Sequence, residues 1–331
     1  MEIPKTLLEA VSYYKDEQVC IDTVAELRWP KGITCPECWA GQPYYIKTAK
    51  RWKCRNCRIQ FSVKRGSIFE DSPISLSKWL PALWLLVNCK NGISSYELAK
   101  DLGVTQKTAW FILHRLRLVV KAPDRGTKLG SNGGGEVEVD ESFIGGLAKN
   151  MHRDRAARLN IARTNANPAE YQTRYSNKTV VLGMLDRESR QVRAQVVPNV
   201  KRETLQNEIL KNVKYGSAVY TDQAVAYDTL HRRYIHDTVN HAVAYVKGRV
   251  HTNGLENFWS LTKRALGGTY VAVEPFHLDR YIDEQVFRYN HRATKDNPLN
   301  DSDRFLLALS QVANKRLTYD ELTGKTGRPQ A

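Results

Sequence analysis

The sequence predicts an α/β protein, a mixed sheet with flanking helices, preceded by a small cysteine-bearing module and a pair of short helices joined by a tight turn. Three observations predict it. Four cysteines fall in two close pairs before residue 60. A stretch rich in Gly, Pro, Ser and Asn, APDRGTKLGSNGGG (122–135), divides the chain. Beyond it, strand-like segments come first, mixed β and α follow, and helices close the chain, which fits a sheet covered by helices rather than a sandwich or a bundle. The expected organisation is residues 1–70 as an N-terminal helix and cysteine module, 71–121 as a helical pair, 122–135 as linker, 136–300 as the α/β domain, and 301–331 as a C-terminal helix and tail.

In chain order, residues 1–30 are patterned as helix and stop at Trp29–Pro30, and residues 31–70 are strand-like. Residues 75–121 have helical apolar spacing with a glycine in the middle. VEVDESFIGG opens the second half as a strand. Residues 148–178 are polar, Arg-rich and without period, and predict a long loop. TVVLGMLD (179–186) and QVRAQVVP (191–198) predict two strands with DRES as their turn. Then come a helix at 203–213, a strand at 217–222, a helix at 223–232, a strand near 237–246, and helices at 252–267, 276–292 and 301–315.

Composition narrows the function. Hydrophobic residues make up 42% of the 331, enough for a core, and charged residues 26%. Lys and Arg total 50 against 35 Asp and Glu, a formal net charge of +15. That excess suits a polyanion, because each cation near a phosphate releases condensed counterions; a solubilising surface charge is the alternative. MEIPKTLLEA lacks the basic and apolar regions of a signal peptide. The most apolar stretch, WLPALWLLV, is too short for a bilayer and contains Pro81. The expectation is a soluble intracellular protein, and six cysteines then point to metal rather than disulfides.

Cys35, Cys38, Cys54 and Cys57 form C-x2-C-x15-C-x2-C. Each knuckle lets two thiolates meet one ion from a tight turn, and two knuckles close the tetrahedron that zinc favours with no open position. A structural Zn²⁺ is expected; buried cysteine pairs or an iron–sulfur site are the alternatives. Cys20 and Cys89 sit in apolar helical contexts as plain thiols. Lys47, Lys50, Arg51, Lys53, Arg55, Arg58, Lys64 and Arg65, interleaved with Tyr44, Tyr45 and Trp52, suit a nucleic-acid surface.

Residues 94–118, SSYELAKDLGVTQKTAWFILHRLRL, read as a helix-turn-helix. Ser94 or Ser95 caps the first helix with Glu97 behind it, Gly103 makes the turn, and Thr105 caps the second helix. Its apolar face is Ala109, Ile112, Leu113 and Leu116. Gln106, Lys107 and Thr108 are then expected in a major groove, with Arg115 and Arg117 on phosphates.

Three segments carry acids in settings suited to metal chemistry. In VEVDESFIGG, Asp140 lies on a strand with Glu138 on its face and Val137, Val139 and Glu141 on the other. In AVYTDQAVAY, Asp222 ends an apolar strand; Asp228 and Asp237 are its lesser rivals. In HTNGLENFWSLTKRAL, a helix puts Leu255, Phe258, Trp259, Thr262 and Leu266 on one face and Asn253, Glu256, Ser260 and Lys263 on another. Glu256 is then placed to hold a metal and Lys263 the phosphate beside it. Three carboxylates converging from two strands and a helix can bind two divalent ions, and oxygen ligands favour Mg²⁺ or Mn²⁺.

At CPEC…CRNC, VEVDESFIGG, VYTDQAVAY and HTNGLENFWSLTKR, the chain resembles the DDE transposases of bacterial insertion sequences related to the Merlin superfamily, from about Lys31 to Tyr289. The resemblance implies a transposase zinc ribbon, a helix-turn-helix and an RNase H-like core with a five-stranded mixed sheet. It implies catalytic acids at Asp140, Asp222 and Glu256, the last two separated by thirty-three residues, and a supporting Lys263. Some relatives carry Asn in the third role, so Asn253 and Asn257 stand beside Glu256 for it; His251 stands at the helix entry. The function expected is metal-dependent cleavage of transposon terminal repeats and strand transfer into target DNA. The partners expected are double-stranded DNA and further copies of the chain, in a bacterial cytoplasm at the nucleoid. A catalytically inactive transposase-derived DNA-binding regulator is the alternative, and an RNase H-like nuclease on RNA–DNA hybrids a further one.

Overall fold

A computed structural model describes residues 3–122, 127–130, 134–146, 154, 178–222, 224–239, 251–295 and 297–325. The chain divides into two compact units, Met1–Ala122 with His291–Ala331, and Pro123–Asn290. Among the described residues no helix is long and apolar enough to cross a membrane.

The first unit opens with α1 (Leu7–Tyr13) and α2 (Glu17–Arg28), capped by Thr6 and Asp16. An antiparallel three-stranded ribbon follows, β1 (Tyr44–Ile46), β2 (Arg51–Lys53) and β3 (Gln60–Phe61). Next come α3 (Leu76–Asn88), α4 (Ser95–Leu102) and α5 (Gln106–Val120). Ser94 and Glu97 form a reciprocal capping box at α4, Gly103 turns with φ +59°, and the Thr105 hydroxyl accepts the Thr108 amide to start α5. This helix pair has the turn and caps expected from local sequence alone. The helix Asp301–Leu309 packs on α3, with Phe305 against Trp84 and Tyr14. Ile68 donates to the Val312 carbonyl, and Lys315 caps α5 at the Leu118 and Val119 carbonyls.

The second unit is a five-stranded mixed sheet in the order β6-β5-β4-β7-β8, of RNase H-like form: β4 (Glu136–Ile144), β5 (Thr179–Asp186), β6 (Val192–Val197), β7 (Ala218–Asp222) and β8 (Ile235–Val239). β4, β5 and β6 pair antiparallel, and β7 and β8 run parallel to β4. Strand alternation feeds two cores. Val137, Val139, Leu182 and Met184 pack against Leu205 and Ile209 of α6 (Arg202–Asn212). Val181, Leu185 and Val192 on the other face pack against Leu255, Phe258 and Trp259 of α7 (Asn253–Ala265) and Ile282 of α8 (Leu278–Asn290). Each such side chain contributes about 1.5–3 kcal/mol on burial.

Several elements differ from the sequence reading. Of the helix expected at 223–232, the described residues 224–232 make two single 3₁₀ turns instead, Val225–Tyr227 and Leu230–Arg232. Tyr227 and Leu230 are both buried, and their spacing of three suits the tighter turn. The last strand starts at Ile235, and the part of its expected span after 239 lies outside the described residues, as do nearly all of 148–178. Leu129, in the compositional linker, is buried and exchanges backbone hydrogen bonds with Asn212 and Lys214. Trp52, expected on a nucleic-acid surface, lies in the ribbon core against Phe61, Tyr45 and Trp29.

Helix α7 sits close on the sheet because Gly183 of β5 has no side chain. A Cβ there would lie 2.5 Å from the Trp259 ring. Gly183→Ala is expected to push Trp259 out and to destabilise the protein by about 1–3 kcal/mol. A thermal melt checks this; an unchanged midpoint would mean that the helix is free to shift.

Candidate functional site

The zinc module builds its site from two matching knuckles. Cys35 donates its amide to Ala40 and Cys54 to Ile59, both at 2.9 Å. Trp39 and Arg58, the residues just after each knuckle, both adopt positive φ, +59° and +62°. The four sulfurs lie within 4.8 Å of one another. Cys35 and Cys57 are 3.6 Å apart, and Cys38 and Cys54 3.5 Å. A zinc tetrathiolate with bonds of about 2.3 Å has edges of about 3.8 Å, so the donor set fits zinc. The Ala40 amide, and then the other three thiols, hold the Cys38 thiol down at about 6, which favours the thiolate a metal takes. Around it, Lys47, Lys50, Arg51, Arg55 and Arg58 are exposed, whereas Lys64 donates to the Ser72 and Ile74 carbonyls and Arg65 pairs with Glu37.

The five residues expected to touch DNA from the helix-turn-helix separate into two groups. Lys107 is exposed over the Tyr319 ring, 4.8 Å from its centroid. Gln106 donates to the Ser95 hydroxyl, and the Thr108 and Thr105 hydroxyls are bonded. Arg115 and Arg117 are not phosphate contacts: they are 4% and 1% exposed. Arg115 donates to the Glu70 and Leu317 carbonyls, and burial lowers its pKa. For Arg115 the reason is tertiary, since segments near residues 70 and 317 meet it on α5.

In the second unit Asp140 stands in the middle of β4, within electrostatic reach of Asp222 and Glu256. The parallel ladder aligns Glu136 with Ala218 and Glu138 with Tyr220. Asp140 and Asp222 lie two residues beyond the last pair of that ladder, on adjoining strands, and Asp222 acts electrostatically on Asp140. Asp140 Oδ2 accepts from Trp259 Nε1 at 3.0 Å. Glu256, one turn before Trp259, is exposed in the first turn of α7. Burial, then repulsion from Asp222 and also from Glu256, pushes the Asp140 carboxyl up to about 6, against the pull of the Trp259 donor. Asp222 accepts the Ala224 amide at 3.2 Å. Lys263 is exposed in the last turn of α7, and Asn253 and Asn257 are exposed in its first turns. Asp228 is exposed with Arg202 3.8 Å away, and Asp237 is exposed on β8, the edge strand.

Sequence reasoning passed over two acids here. Glu141 points to the opposite face from Asp140, yet burial first, then Asp222 and Asp140, raise it to about 7, while the nearby Tyr227 hydroxyl lowers it. Glu138 is 1% exposed and is held by Arg187 Nε at 2.8 Å and the Leu255 amide at 3.0 Å. The signal for both was present in the run EVEVDES, where a strand of a buried sheet carries four acids that burial makes costly.

Residues 133–290 match the ISXO2-like transposase domain, and residues 15–60 match the transposase zinc-ribbon domain, together more than half of the chain. The chain is 25% identical over 288 residues to an uncharacterized protein in transposable element ISH50 of Halobacterium salinarum, a match covering 84% of this chain and 94% of that one.

Two outcomes follow. Stripping zinc with a strong chelator removes the roughly 10–16 kcal/mol that such sites contribute, so hydrogen exchange across β1–β3 should rise steeply while β4 and β5 keep their protection; unchanged exchange in the ribbon would contradict a structural metal. The second concerns Asp140. Its folded value exceeds the ordinary 3.8, so the folded state keeps a proton that the unfolded chain has lost. Metal-free stability therefore falls as pH rises from 3.8 toward 6 and stays lowered above it. Asp140→Asn should raise the metal-free thermal midpoint at neutral pH by several degrees, at about 2–4 °C per kcal/mol, and the gain should shrink as pH is lowered toward 4. Calorimetry at two pH values reads it; no gain at neutral pH would remove the repulsion. Two matched domains, the cysteine cluster that one of them requires and the mixed sheet of the other lead to one assignment: the chain belongs to the IS1595-type transposases.

Proposed function

We propose that this transposase cuts DNA at the ends of its element and transfers the freed 3′ ends to target DNA through Asp140, Asp222 and Glu256. The observation that carries the reading is that burial first, and then repulsion from Asp222 and from Glu256, pushes Asp140 up to about 6, although the three lie far apart in sequence. Acids forced together at such cost suit a site designed to be neutralised by cations. Their oxygen-only donor set fits Mg²⁺ or Mn²⁺. When bound, such ions supply Lewis acidity that activates water or a 3′-hydroxyl and stabilises the leaving oxygen.

The chain's own residues then divide the work. Asp140 offers its second oxygen while Trp259 holds the first. Asp222 contributes from the neighbouring strand and Glu256 from α7. Lys263, two turns further on the Glu256 side of the helix, neutralises the phosphate being cut. No covalent protein–DNA intermediate is needed, so no Ser or Tyr nucleophile enters. The zinc module's exposed cations and Lys107 of α5 hold the duplex ends through phosphate and groove contacts. Two ends must be joined, so the DNA-bound form is a homo-oligomer, working where the DNA is, at the nucleoid.

The test is Mg²⁺-dependent nicking of a duplex carrying the element's terminal repeat. Asp140→Ala, Asp222→Ala and Glu256→Ala should each lower the rate by at least about 10³-fold, the loss of several kcal/mol of charge stabilisation, while DNA binding persists. Nicking at the parent rate in any of the three would overturn that residue's role, and binding without nicking in the parent would overturn the enzyme.

A further inference from the structure

We propose that Glu138 is a positioning residue that sets where the Glu256 helix stands relative to Asp140, and so sets the affinity of the acid cluster for divalent cations. The proposal rests on the reading of Asp140, Asp222 and Glu256 as metal ligands.

Helix α7 begins without a side-chain cap of its own: Thr252 precedes it and makes no capping hydrogen bond. Glu138 performs that task from another strand. Its Oε2 accepts the Leu255 amide at 3.0 Å, across 117 residues of sequence. A carboxylate there also meets the positive end of the helix dipole. The approach is close because residue 254 is glycine; a Cβ on it would lie 2.8 Å from Glu138 Oε2 and 3.2 Å from Leu185.

The other oxygen of Glu138 is fixed as firmly. Oε1 accepts from Arg187 Nε at 2.8 Å. Arg187 in turn reaches Glu136 at 3.3 Å, the His251 carbonyl, and His251 Nδ1 at 2.9 Å, and its guanidinium lies 4.4 Å from the Tyr220 ring centroid. One buried pair thus ties β4, the β5–β6 turn, β7 and the entry to α7. Its spacing matters: Glu138 and Asp140 lie two residues apart on the same face of β4, and both accept from α7, at Leu255 and at Trp259. Glu256 sits between those two points in the same helix. The two hydrogen bonds bracket Glu256 along the helix, and of the two only the Trp259 one involves a proposed metal ligand. If Glu138 merely stabilised the fold, metal affinity would not depend on it. Outer residues that orient ligands typically govern metal affinity by about 10–100-fold.

The test uses the full, zinc-loaded chain and reads Mn²⁺ binding from the loss of the free-ion EPR signal, with no DNA present. Glu138→Gln is isosteric and keeps one acceptor for two donors; it should weaken Mn²⁺ binding by about tenfold. The double change Glu138→Met with Arg187→Met removes both buried charges together, leaves neither alone, and takes the cap away entirely; it should weaken binding toward the hundredfold end of that range. In both, hydrogen exchange at Leu255 should rise while β5 keeps its protection. Mn²⁺ affinity within twofold of the parent in folded Glu138→Gln would overturn the proposal, whatever the double variant does. Asp140→Asn separates the two layers. If it leaves Mn²⁺ affinity unchanged, the metal-ligand reading fails; if it abolishes binding and Glu138→Gln does not weaken it, only the positioning role fails.

Discussion

Two carboxylates on one face of β4, Glu138 and Asp140, each accept a hydrogen bond from helix α7, and the geometry of the second unit depends on that docking. The helix lies on β5 because Gly183 leaves room for Trp259, and it starts where it does because Gly254 leaves room for Glu138. Phe258 and Leu255 then enter the core with Val181 and Leu185. The same contacts that bury apolar surface therefore carry Glu256 within electrostatic reach of Asp140. Packing and chemistry are linked through one helix.

The arrangement has an electrostatic cost. Burial and mutual repulsion raise Asp140 and Glu141 well above the usual carboxylate range. Proteins hold such crowding only where something offsets it. Glu138 has its offset built in, an arginine and a helix amide. Among the described residues, Asp140 has an indole N–H as its side-chain hydrogen-bond donor, which offsets the crowding only in part. In the other unit the four thiols crowd together in the same way with softer atoms, a donor set of matching preference for a soft metal. An excess of fifteen positive charges over the whole chain then favours the polyanion on which a transposase acts.

Much of this was legible in the sequence wherever the cause is local. The cysteine spacing, the Ser94–Glu97 capping box and the turn at Gly103 are set by residues within a few positions of one another. Strand alternation gave Val137 and Val139 one face and Glu138 and Asp140 the other, and helical spacing gave the buried face of α7. What failed depended on distant chain. Arg115 and Arg117 look like exposed cations on α5, yet both are buried, Arg115 through bonds to the Glu70 and Leu317 carbonyls. Residues 223–232 have helix-forming composition, but Tyr227 and Leu230 are drawn into the core in separate 3₁₀ turns. Glu138 looked like a neighbour of the site; its role depends on an amide at Leu255 that periodicity does not reveal.

The most direct measurement is where the cation sits. Anomalous diffraction from crystals of the DNA-bound transposase grown with Mn²⁺ would locate it without relying on any variant. Manganese is expected within about 2.2 Å of oxygens from Asp140 and Asp222, the distance usual for such ligands, with Glu256 in the same coordination shell. Manganese bound away from Asp140, or held by Glu141, Asp228 or Asp237 in place of Asp222, would contradict it.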